Sequence, residues 1–178
     1  GVGADLQKYL KEHRLVDKLI LSEIALGLFG GFGPITMLYA YGSFPFHYIL
    51  VQYFFISAVG LLIGLEIPLI TRINEAYSLN LRVNLGRILK MDYIGSLCGA
   101  LFWIFVLPRF FTMVQTAFVL AFITVGVAGI TLIYFRSLIH HFVPLVILVA
   151  LGFSTLGYSF YMAQNWTSFT EQKLFRDR

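Results

Sequence analysis

The sequence predicts an all-α fold: a polytopic membrane helix bundle with about five transmembrane helices plus an interfacial helix. Three observations carry this reading. Apolar runs of roughly 20 residues recur along the chain, the length that about 30 Å of hydrocarbon needs at ~1.5 Å per residue. Only 12% of the residues are charged and 58% are hydrophobic, with a mean hydropathy of +0.81. A soluble domain carries about 25% charged residues, so this chain could not cover itself with polar groups. Finally, the runs are continuous rather than alternating, which excludes a β-barrel.

The whole chain, residues 1–178, reads as a single transmembrane domain. It starts at Gly1 without Met, and GVGA reads as the edge of a longer protein. Residues 1–18 form the expected interfacial helix or connection. Leu6, Leu10, Leu15 and Val16 make an apolar stripe there, with Lys8, Lys11, Arg14 and Lys18 around it. The first span is expected near 19–41. It holds Glu23 near its start and Pro34 in its second half, where a lost backbone hydrogen bond predicts a kink. Gly27 and Gly31 have the four-residue spacing that lets a second helix approach closely.

The second span is expected near 48–73, with Gly60 and Gly64 at the same spacing, then Glu66 and Pro68, and Arg72 at the exit. Residues 82–91 read as a short amphipathic piece on the membrane surface. Leu85, Ile88 and Leu89 form its apolar side, and Arg82, Arg87 and Lys90 its basic side. Asp92 then leads into a third span near 93–107, short unless the preceding residues continue the helix, with Gly95 and Gly99. The fourth span, near 112–135, has no charged residue, and the fifth is expected near 142–163. Residues 164–178 read as a polar linker toward a domain not present in the chain.

Charge limits function. The net charge of +4 is spread over connections rather than along one face, so the lipid surface, not nucleic acid, is its expected counterpart. A single cysteine, Cys98, excludes an internal disulfide and a multi-cysteine metal site; it reads as a small residue packed between helices. His140 and His141 are adjacent and cannot share a helix face, so they read as an interfacial pair, and no metal is expected. No phosphate-binding loop and no nucleophile–base pattern is present, so no catalytic residue is assigned. Lys and Arg concentrate before the first span and between the second and third, which predicts a cytoplasmic N-terminal segment. Five crossings then place the tail outside although it carries Lys173, Arg176 and Arg178; either it lies there or one segment does not cross.

On that orientation Glu23, Glu66 and Asp92 fall at similar depth on three helices, forming a candidate acidic cluster. An acid in hydrocarbon is costly and normally has a partner or a task. Two readings stand side by side. In one, Arg72, Arg87 and Lys90 are charge partners that hold the helix ends in register. In the other, the acids form a vestibule for an organic cation or a proton. Ser22, Asn84 and Tyr93 could supply hydrogen bonds to them.

Those residues also carry a resemblance. EIALGLFGG at 23–31, GLEIPLITR at 64–72 and LGRILKMDYIGSLCGALFWIFVLP at 85–108 resemble the membrane domain of membrane-bound spermidine synthases, the polyamine aminopropyltransferases. GVGA at 1–4 and EQKLFRD at 171–177 extend the similarity to nearly all of the chain. The resemblance implies two further helices before Gly1, an aminopropyltransferase domain after Arg178, and location in a bacterial inner membrane. It also implies that decarboxylated S-adenosylmethionine belongs to that absent domain, with no cofactor in this chain. Three functions follow as expectations. The chain anchors polyamine synthesis to the membrane and couples the two; or it is a transporter-like module for polyamine or another cation; or it is a non-catalytic subunit of a larger complex, paired with other membrane subunits or with itself.

Overall fold

A computed structural model describes residues 15–43, 47–75, 81–137 and 139–176. Most of the expected interfacial helix, with Leu6, Leu10, Lys8, Lys11 and Arg14, lies outside the described residues. The described residues form six helices: α1 (Leu15–Ser43), α2 (Tyr48–Glu75), α3 (Leu81–Phe105), α4 (Leu107–Phe110), α5 (Met113–Tyr134) and α6 (Phe142–Arg176). Five helical segments are long and apolar enough to cross a membrane by length and composition; the third of them runs Leu85–Phe110, across α3 and α4.

The helices extend further than the apolar runs alone suggest. Residues 82–91 are not a separate surface piece: α3 is continuous from Leu81 to Phe105 and carries Asp92 in its middle. No proline lies between Arg82 and Asp92, and Leu, Arg, Lys and Met, strong helix formers, outweigh Asn84 and Gly86 there. Likewise α6 continues to Arg176, through most of the stretch expected as a linker. Pro34 and Pro68 lie inside the continuous helices α1 and α2. The start of α5 is set by Thr112 and Gln115, each of which accepts the other's backbone N–H on its side-chain oxygen, at 3.3 Å and 3.0 Å.

α1 is the central helix and packs against α2, α5 and α6. Its closest contact is at Gly27 and Gly31. A Cβ on Gly27 would stand 2.7 Å from Val125 Cγ2, and one on Gly31 2.9 Å from the Ala121 Cβ. Around this seam Phe118, Ala121, Val125 and Leu156 are buried together, and Phe32 meets Phe118 edge-on at 5.5 Å. A second cluster, Val16, Ile20, Ile24, Ala128, Leu132 and Leu145, closes the end where α1 begins.

α3 differs. Among the described residues it packs only on α2 and on α4, and every side chain from Met91 to Phe105 is exposed. Cys98 is among them, so it is not packed between helices as its size suggests. Among the described residues, a Cβ at Gly60, Gly64, Gly95 or Gly99 would meet nothing within 4 Å, so no described helix packs closely on these four. The spacing that permits close approach does not supply the partner helix.

Asp17, which the sequence pattern did not single out, ties two ends together. It is 9% exposed, and its Oδ1 accepts the His140 backbone N–H at 3.4 Å, just before α6 begins. A carboxylate from α1 thus stands at the positive end of α6, where His141 is a poor cap.

Two outcomes follow. Gly27→Ala and Gly31→Ala lower the thermal midpoint in detergent, because overpacking at a filled seam costs about 1–3 kcal/mol. Gly60→Ala and Gly95→Ala leave it unchanged or raise it, since Ala is better in a helix by about 0.5–1 kcal/mol where space is open. Separately, Asp17→Ala speeds amide exchange at His140, whereas Asp17→Asn, which keeps an acceptor oxygen, preserves protection.

Candidate functional site

Glu23, Glu66 and Asp92 come together from α1, α2 and α3. α1 and α2 run antiparallel, and so do α2 and α3, so residues at matched depths become neighbours. Glu23 is 6% exposed, Glu66 is half-buried and Asp92 is exposed. The side chains of Glu23 and Glu66 lie within hydrogen-bond reach of each other. Asp92 is close enough to Glu66 for their charges to interact. Glu66 is therefore the middle member, and α2 the helix that joins α1 to α3. Burial of Glu23 follows from the fold: Gly27, one turn along α1, lets α5 approach closely.

Among the described residues, Arg87 and Lys90 form no ion pair with any of the three acids; Lys90 is exposed and Arg72 is half-buried near the end of α2. Two carboxyl groups in contact repel unless a proton or a cation lies between them. Of the hydrogen-bond sources expected, Ser22 donates instead to the Leu19 carbonyl at 2.8 Å, Tyr93 is exposed, and the Asn84 side chain lies outside the described residues.

Beside Glu66 and Asp92 a cleft of about 460 Å³ opens between α2 and α3. Ile63, Ile67, Ile70, Ile88 and Met91 form its apolar walls, and Asn74 and Arg87 complete the lining. The face 63, 66, 67, 70, 74 on α2 and the face 87, 88, 91, 92 on α3 both follow helical periodicity. Periodicity could have shown each face; it could not show that the two faces meet. Among the described residues no group of three His, Cys, Asp or Glu side chains is arranged to hold a metal ion.

The sequence has relatives of known name. A polyamine aminopropyltransferase of Leptospira interrogans is 36% identical over 129 residues, which are 72% of this chain and 25% of that protein. One of Oceanobacillus iheyensis is 32% identical over 183 aligned positions, covering 99% of this chain and 35% of that protein. Polyamine aminopropyltransferase 2 of Ralstonia nicotianae is 31% identical over 139 residues, or 77% of this chain and 27% of the relative. No protein-family model and no solved structure matches the chain. The sequence matches, taken with the segments GLEIPLITR and LKMDYIGSL that carry the acids, lead to one assignment: this chain belongs to the polyamine aminopropyltransferase family and corresponds to about a quarter to a third of such a protein.

Proposed function

We propose that this chain is the membrane-spanning part of a polyamine aminopropyltransferase and anchors the enzyme at the inner membrane. The observation that supports this best is the outward face of the helices. Side chains such as Leu50, Tyr53, Leu97, Ile104, Ile130 and Val143 are exposed on helices long enough to span a bilayer. In water so large an apolar surface would aggregate; in lipid it is the expected exterior. Binding of decarboxylated S-adenosylmethionine, and the transfer chemistry, belong on this reading to the rest of the protein. The N-terminal segment lies in the cytoplasm, because Lys and Arg gather on that side.

A second reading concerns Glu23, Glu66 and Asp92: they hold an organic cation, and the names of the relatives make a polyamine the first to test. Its support is the contact between carboxyl groups that Arg87 and Lys90 leave uncompensated, beside a cleft large enough for a small ligand.

Two experiments test these readings. In cells expressing the chain, it remains in the membrane fraction after alkaline extraction, and a reporter joined after Arg178 reports an extracytoplasmic tail. Recovery of the chain as a soluble monomer without detergent overturns the anchor reading. For the second, Glu66→Gln weakens binding of spermidine to the purified protein tenfold or more while the thermal midpoint holds. Undiminished binding with a lowered midpoint assigns the acids to folding.

A further inference from the structure

The cleft between α2 and α3 carries both signs of charge, and this determines what it would select. Arg87 and Asp92 line the same cavity from the same helix, and among the described residues they do not pair with each other. Their axial offset is about 7.5 Å at ~1.5 Å per residue. Between their levels the walls are apolar: Ile88 and Met91 on α3, with Ile67 and Ile70 facing them from α2. At the deeper end Glu66 is engaged by Glu23, which makes Asp92 the open carboxylate. At the other end Asn74 lies with Arg87.

We propose that this cleft binds a dipolar aliphatic ligand, with an ammonium group at Asp92 and Glu66, an anionic group at Arg87, and a short methylene chain along Ile67, Ile70, Ile88 and Met91. This deepens, and rests on, the reading of the acidic site as a cation site. The physical argument is complementarity. A ligand carrying one charge of each sign satisfies both Asp92 and Arg87 through charge-assisted hydrogen bonds, which are stronger than neutral ones. A polyamine would set a second ammonium against the Arg87 guanidinium, and like charges at close range are unfavourable. A monoamine would leave Arg87 without a counter-charge. A spacer of about five methylene groups matches the ~7.5 Å rise between the two residues along α3.

The test uses the protein reconstituted in lipid nanodiscs and titrated calorimetrically with ε-aminocaproate, hexylamine, caproate and spermidine. The expected result is that ε-aminocaproate binds at least tenfold more tightly than the other three. Arg87→Gln brings ε-aminocaproate to the level of hexylamine, and Asp92→Asn brings it to the level of caproate. Both side chains are exposed, so neither change removes a core contact; the comparison of ligands on the unaltered protein stands even if a variant misfolds. Tighter binding of spermidine, strengthened further by Arg87→Gln, overturns this inference and leaves the cation site standing. No binding by any of the amines overturns both.

Discussion

The close approach of α1 to α5 and α6 is the contact on which the remainder of the structure depends. It exists because Gly27 and Gly31 put no side chain where Val125, Ala121 and Leu156 stand. In lipid, helices gain little by hiding apolar side chains from one another, since the tails outside are equally apolar; close packing at small residues is what favours association. α1 thereby becomes the hub. α2 packs on α1, and among the described residues α3 packs on α2 alone of the long helices. Packing thins with each step outward, from fully buried Phe118 and Val125 at the seam to a helix whose side chains are all exposed between Met91 and Phe105.

That gradient decides the character of the acids. Glu23 lies on the hub, one turn from the seam, and is covered; Glu66 lies on the intermediate helix; Asp92 lies on the outer one. A single cluster therefore runs from the packed interior to an open cleft. Breaking a buried charge pair usually costs several kcal/mol because the remaining charge is stranded. Here Arg87 and Lys90 form no ion pair with the acids among the described residues, and the contact within the group is between carboxyl side chains.

Asp17 and Thr112 show a different use of polar groups. Both act at helix starts, where the first N–H groups lack partners. Thr112 does so locally, within its own capping box with Gln115. Asp17 reaches across from α1 to the turn before α6, and its second carboxylate oxygen, Oδ2, is buried without a hydrogen-bond partner among the described residues. The first arrangement is readable in four consecutive residues. The second joins positions 123 apart and has no local signal.

What the amino-acid sequence determined by itself is local. The lengths of the apolar runs dictate five membrane-capable helices, because backbone groups in a non-polar setting must bond within their own segment. The depths of Glu23, Glu66 and Asp92 along those helices follow from a constant rise per residue, so their meeting at one level was legible. What only the tertiary structure decided is azimuth and neighbour. Gly27 and Gly60 look alike in sequence, yet one faces Val125 and the other open space. Arg87 looked like a partner for the acids, and it lines the same cleft as Glu66 and Asp92 without forming an ion pair with them among the described residues. Rotation about a helix axis is set by the packing surface of another helix, and no residue's own chemistry encodes where that surface lies.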